Sequence, residues 1–279
     1  MKPSQSRSMG KIKPCFYRRI FVLLFILFSA GSYGADSPWN GKSAAVSLTY
    51  DDALGVHIDN VAPVLAQNDL LATFYVTSNS WPLRSRLDDW RAIATSGHEL
   101  GNHTLFHPCA GDKPGREWLN KELYLNEWSE QRYIGNLNIN NTLLQALDGK
   151  TERSFAYPCG DTEVAGKSYV ETITPMFTAA RMVGGTPPTI DKVNLMRIPS
   201  HMVIGDSAEK LISLVEAGIK NHTWVVFLFH GVGGEHGLNV SKEAHAELVN
   251  YLGKHKKDVW IAPVTDIANY VKDQQKVKK

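Results

Sequence analysis

The sequence predicts an α/β fold, a distorted (β/α) barrel with about seven parallel strands. Three observations predict it. Seven short apolar, β-rich runs recur between residues 44 and 264, and segments of helical spacing separate most of them. The residues with chemical potential fall where those runs end. Strand–helix alternation marks parallel βαβ units, and parallel barrels carry their working residues at strand C-terminal ends.

The chain opens on a segment that reads as an address rather than as fold. Lys2, Arg7, Lys11, Lys13, Arg18 and Arg19 come without an acidic residue, Ile20 to Phe28 is unbroken apolar sequence, and small residues follow. That is the pattern of a secretory signal peptide over residues 1–34, cut near Gly34 or Ala35. Its apolar core is shorter than the about 20 residues a membrane span needs. The competing reading is an uncleaved signal anchor, which the small residues after Phe28 disfavour. An exported protein, periplasmic or extracellular, with no membrane span after cleavage is the expectation.

Residues 35–279 then form one expected catalytic domain, since no repeat, low-complexity tract or Pro/Ser-rich linker interrupts them. Six of the 30 basic residues and none of the 28 acidic ones leave with the first 34, so the remainder carries a net −4. A mildly acidic domain lacks the clustered basic face of a nucleic-acid binder.

Strands are expected at 44–50, 72–77, 99–102, 154–157, 178–182, 224–230 and 259–264. Helices are expected at 59–68, 87–96, 127–147, 208–221 and 242–255. The helix from Glu127 is the weakest of these, because Asn136, Asn138, Asn140 and Asn141 are poor helix formers. The stretch 109–118, with its Gly and Pro, reads as a surface loop.

Two blocks carry the chemistry. Thr49-Tyr50-Asp51-Asp52 ends the first strand, and His103-Thr104-Leu105-Phe106-His107 follows the third. Adjacent side chains on a strand face opposite ways, so both carboxylates can act together only where the backbone leaves the ladder. The two histidines share a face if their segment makes a helical turn, and Pro108 limits it to about one turn. Two imidazoles and one carboxylate can hold a divalent ion and leave the second carboxylate free as a base. Taken singly, Asp-Asp is a common cap or turn pair, and His98 and His245 read as core or structural histidines. Cys15 leaves with the leader, and Cys109 and Cys159 remain as one candidate bridge in an oxidising setting. Two buried free thiols near the metal are the alternative.

With these blocks in order, followed by Phe155-Ala156-Tyr157-Pro158-Cys159-Gly160 and Leu228-Phe229-His230, the chain resembles the polysaccharide deacetylase family, carbohydrate esterase family 4, over roughly residues 44–265. The resemblance implies Asp51 as general base and Asp52, His103 and His107 as ligands of one divalent metal ion, Zn2+ above Co2+ or Ni2+. It further implies His230 as general acid and the Cys159 backbone N–H as oxyanion donor. Tyr50 stands where the family has Phe, and Ala156 stands where it has an arginine that orients the base. Arg153 and Arg197 are candidates to replace that charge; Arg197, in the apolar run Leu195-Met196-Arg197-Ile198-Pro199, could approach Asp51 from a different strand, or is a surface arginine flanking a strand. The implied function is metal-dependent removal of N-acetyl groups from an acetylated polysaccharide or oligosaccharide. An O-acetyl xylan-type esterase and a non-catalytic carbohydrate-binding relative are the alternatives.

Overall fold

The computed structural model describes residues 37–277. The leader expected over residues 1–34 lies outside them. Eight strands form the main sheet: β1 (Ala44–Asp51), β2 (Thr73–Val76), β3 (Glu99–Asn102), β4 (Phe155–Ala156), β5 (Ala180–Arg181), β6 (His201–Met202), β7 (Trp224–Phe229) and β8 (Val259–Ile261). Every pairing among them is parallel, in the order β5-β4-β3-β2-β1-β7-β6. β1 is the axis of the sheet. It pairs with β7 along one edge from Ala45 to Tyr50. Its other edge is divided between β8 at Ala44–Val46 and β2 at Thr49–Asp51.

Alternation along β1 sorts its side chains. Val46, Leu48 and Tyr50 enter the outer core with Phe74, Val76, Phe227 and Phe229. That layer is closed by α1 (Ala62–Gln67), α2 (Leu87–Thr95), α4 (Ala208–Asn221) and α5 (Lys242–Lys254). A further helix, α3 (Glu130–Asp148), covers the outer side of β3 and β4 with an aromatic cluster of Tyr133, Phe155, Tyr157 and Tyr169. Ala45, Ser47 and Thr49 take the inner face, where Trp224 Nε1 donates to Ser47 Oγ at 3.1 Å and Thr49 Oγ1 donates to the Phe227 carbonyl at 2.7 Å. By the same period of two, Asp51 belongs inside, and His230 follows Trp224, Val226 and Leu228. Gly101 is on β3 because its strand runs against the Tyr75 ring: a Cβ there would lie 2.5 Å from that ring.

The sheet differs from the expectation in two places. β6 is an added strand, too short to carry a period. Val264, expected as a strand end, instead begins α6 (Val264–Val277), whose Val264, Ile267, Ala268 and Val271 pack beneath the sheet. The doubtful helix is real: α3 runs 19 residues, from the Ser129 cap to Gly149 in the left-handed conformation. Asn136 and Asn140 sit on its buried side, where periodicity expects apolar residues, while Asn138 is exposed.

The segment from Leu195 to Val203 stitches the two ends of the sheet. Its first half hydrogen-bonds Ala180 and Met182 beside β5, and Val203 N–H donates to the Leu228 carbonyl on β7 at 2.9 Å. Among the described residues no helix is long and apolar enough to cross a membrane.

One covalent tie reinforces the C-terminal face of the sheet. Cys109 and Cys159 form a disulfide with Cα atoms 6.0 Å apart, closing a span of 50 residues. By chain entropy, a loop of that size is worth about 4 kcal/mol less any native strain. The Cys109→Ser/Cys159→Ser double variant should therefore lose about 4 kcal/mol of unfolding free energy in urea titration. A loss under about 1 kcal/mol would mean the unfolded chain is already constrained there.

Candidate metal and catalytic centre

All of the residues singled out at strand ends, Arg197 apart, gather in one cleft of about 400 Å³. Asp51, Asp52, His103, His107, Cys159, His230 and His236 line it. The sequence builds this cleft by leaving regular backbone abruptly. Asp52 (φ 77°) and Ala53 (φ 54°) are both left-handed immediately after β1. The turn brings Asp52 to the same side as Asp51, against strand alternation. Thr104 (φ 66°), His107 (φ 54°) and Cys159 (φ 56°) are left-handed as well. Non-glycine residues in this region store backbone strain, which clusters at functional sites.

Asp52, His103 and His107 converge. Asp52 Oδ1 lies 3.6 Å from His103 Nε2 and 3.7 Å from His107 Nε2. His103 Nδ1 bonds the Ala156 carbonyl at 2.8 Å, so that nitrogen carries the proton and Nε2 keeps its lone pair for the cleft. Burial pushes His103 down to about 4, against the opposing pull of Asp51 and Asp52. The ring is thus neutral near pH 7, as a ligand must be. Asp52 is raised by burial, but the imidazoles of His107 and His103 outweigh that and bring it to about 2. Two imidazoles beside an ionised carboxylate are a donor set that fits a divalent cation. Cys109 Sγ lies 3.6 Å from His107 Nδ1, but both sulfurs near that ring are committed to the disulfide.

Asp51 is buried and has one oxygen, Oδ2, in an ion pair with Arg181. Its Oδ1 is buried without a hydrogen-bond partner among the described residues. Burial raises the Asp51 carboxyl, yet Arg181, His103 and His230 together outweigh it and hold the group below the usual carboxylate range.

The arginine that pairs with Asp51 is Arg181, not the expected Arg197. Arg197 is exposed, its backbone N–H turned to the Asn194 carbonyl. Arg153 is excluded too: it is buried against Asp148 at 3.1 Å and the Leu100 carbonyl at 2.7 Å. Arg181 is the register partner of Ala156 across β4 and β5. The guanidinium enters the same interior space from the neighbouring strand, and the small Ala156 leaves room for it. Arg181 also lies over the Tyr75 ring, 5.0 Å from its centroid, a cation–π contact. The sequence held a signal for this, a charge inside the apolar run 178–182, where burial demands a partner.

His230 lies at the end of β7, its carbonyl accepting from the buried His57 Nε2 at 2.8 Å. His57 Nδ1 in turn accepts the Leu54 N–H at 3.2 Å, so one neutral ring joins the turn after Asp52 to the end of β7. Burial lowers His230 from its ordinary range. The His236 ring, to which sequence reasoning attached no role, stacks on His230 with centroids 4.7 Å apart. His98 and His245 are core histidines: His98 Nδ1 accepts the Ala72 N–H at 3.1 Å, and His245 Nε2 bonds the Tyr50 hydroxyl at 2.8 Å. The Tyr in place of Phe at position 50 thus gives a buried histidine its partner.

The loop after His107 forms one wall. Asp161, buried, accepts the Ala110 N–H at 2.8 Å, Arg116 at 2.9 Å, and Lys113. Arg116 also reaches the Cys159 carbonyl at 3.4 Å. Trp118, 64% exposed, stands at the rim.

As a base Asp51 would serve only when ionised, a state its lowered carboxyl retains as pH falls to the ordinary carboxylate range. Arg181→Met removes the cation that lowers it, so the acidic limb of the pH–rate profile should move to higher pH and turnover should drop at least tenfold. Arg197→Ala should leave that limb in place. A shifted limb in Arg197→Ala and none in Arg181→Met would reverse the assignment.

Residues 40–173 match the family described as polysaccharide deacetylase. A gellan lyase from Bacillus sp is 25% identical over 256 residues, 82% of this chain but 9% of that protein. A chitin deacetylase from Colletotrichum lindemuthianum is 39% identical over 66 residues, 23% of this chain and 27% of the relative. The chain thus spans well under a third of either relative's length. A Mycobacterium smegmatis structure assigned to the polysaccharide deacetylases superposes with a TM-score of 0.59 at 14% identity, covering 84% of this chain and 92% of that one. That likeness establishes the fold. The matched segment, residues 40–173, contains both the Asp51-Asp52 and the His103–His107 blocks and carries the similarity to the polysaccharide deacetylase family.

Proposed function

We propose that this protein is a metal-dependent hydrolase that removes N-acetyl groups from an exported or cell-wall polysaccharide of chitin-like, poly-N-acetylglucosamine or peptidoglycan type. One observation carries the reading. Asp51 has one oxygen neutralised by a buried arginine and the other without a partner, beside a carboxylate–imidazole trio that fits a divalent ion. The chitin deacetylase similarity supports amide over ester chemistry. The disulfide supports an exported, oxidising setting. Arg181 supplies beside Asp51 the charge that Ala156 lacks, which favours a catalytic chain over a non-catalytic relative.

Asp52, His103 and His107 would hold the ion, with zinc favoured by mixed imidazole and carboxylate ligation and Co2+ or Ni2+ compatible. When bound, the ion supplies Lewis acidity to water and to the acetyl carbonyl. Asp51 Oδ1 accepts the proton of the attacking water, while Arg181 keeps the carboxylate ionised and oriented. The Cys159 N–H donates to the carbonyl oxygen as it gains charge; a donor of this kind is worth about 10²–10³ in rate. His230 gives a proton to the departing nitrogen, and burial, by lowering its pKa, makes its protonated form a stronger acid. No nucleophilic Ser or Cys is needed.

His103→Ala should abolish both zinc content and acetate release from N-acetylated oligomers, and chelator should do the same to the wild-type chain. Full acetate release from metal-free His103→Ala would sink the site. The exposed indole of Trp118 offers an apolar face with a polar edge to a sugar ring. Trp118→Ala should raise KM for acetylated oligomers several-fold and leave hydrolysis of a small acetyl ester nearly unchanged. An unaltered oligomer KM would take Trp118 out of the substrate path.

A further inference from the structure

Helix α3 carries four asparagines between residues 136 and 141, a composition that opposes helix formation. Asn136 and Asn140 are nonetheless buried, as is Asn102 at the end of β3. A buried amide is costly unless its hydrogen bonds are made; here Asn136 and Asn102 bond the segment between the two histidines directly, and Asn140 reaches it through Asn102. Asn136 Oδ1 accepts the Leu105 N–H at 2.8 Å. Asn140 Nδ2 donates to the Val76 carbonyl at 3.1 Å and to Asn102 Oδ1 at 2.9 Å. Asn102 Oδ1 also accepts the Thr104 N–H at 2.7 Å. Ser78 Oγ bonds Asn140 Oδ1, and the Ser78 and Asn79 N–H groups donate to the Thr104 and Leu105 carbonyls at 3.3 and 2.9 Å.

We infer that Asn136 and Asn140 are positioning residues, a polar template on α3 that holds residues 103–107 in the geometry presenting both imidazoles. Thr104 and His107 occupy left-handed backbone, which persists only where surroundings over-determine it. The His107 N–H closes the turn on Thr104 Oγ1 at 2.8 Å. α3 supplies the outer half of that constraint, through side chains that sit one helical turn apart. A helix serving only to cover the sheet would be better built with leucine at both positions.

The inference rests on the metal reading of Asp52, His103 and His107. Its test is the zinc affinity of the full chain, by competition with a chromophoric chelator, alongside thermal unfolding of the metal-free protein. Asn136→Leu should weaken zinc binding about 10–100-fold, the usual effect of removing a partner that orients ligands, while the metal-free Tm holds or rises. Asn136→Asp, which retains an oxygen for the Leu105 N–H, should recover most of the affinity. Should Asn136→Leu not fold, Asn136→Ala removes the same acceptor without adding bulk and carries the comparison. Wild-type affinity in the folded Leu or Ala variant would overturn the positioning role. Failure of the wild-type chain to bind zinc would overturn the metal reading, and this inference with it.

Discussion

The buried ion pair between Asp51 and Arg181 is the interaction on which the rest of the site depends. A carboxylate withdrawn from water favours its neutral form, and a neutral Asp51 accepts no proton. Arg181 reverses that preference from β5, which is not a neighbour of β1 in the sheet, and His103 and His230 add to it. The pair is also a constraint. Removing either partner leaves a buried charge uncompensated, which typically costs 3–5 kcal/mol. Tyr75 and Ala156 are shaped around the guanidinium, one under its face and the other leaving space in register. Gly101 is shaped in turn around Tyr75.

Around this pair the protein holds its functional residues at the breaks in its regular structure. Asp52, Thr104, His107 and Cys159 all lie in left-handed backbone at strand ends. Each break is tied by a different device. His57 links the turn after β1 to the end of β7, the asparagines of α3 fix the turn after β3, and the disulfide with Asp161 and Arg116 secures the loops after His107 and Pro158. Strain is distributed over several turns, and the anchoring comes from buried side chains whose hydrogen bonds are satisfied. Such sites keep their geometry before any ligand arrives, which is what preorganised electrostatic catalysis requires.

Barrel curvature supplies the common frame. β1 faces two neighbours on one edge, and the 195–203 segment joins β5 to β7, so strand ends distant in sequence open into one cleft. Interior positions near that cleft are polar or charged, while the outer faces of the same strands are aliphatic and aromatic. The period of two along each strand thus separates stability from chemistry.

Much of this was legible in the chain itself. The alternation of apolar runs and amphipathic segments determined the parallel α/β architecture, because strands buried on both faces must be apolar throughout. The Asp51-Asp52 and His103–His107 blocks, at strand ends in that order, determined the candidate ligands and base, since those residue types in that spacing suit a metal and a carboxylate. The two cysteines among residues 35–279 determined the bridge that could form. Only the tertiary structure decided what crosses strands. Arg181 and Ala156 are 25 positions apart in sequence yet opposite each other in register, and no local pattern distinguishes Arg181 from Arg197, also set in an apolar run. The asparagines of α3 read as helix breakers because their compensation is a hydrogen-bond network to β2, β3 and the loop beyond. Cross-strand register and non-local hydrogen bonding depend on which elements pack together, and that is decided by the folded chain as a whole.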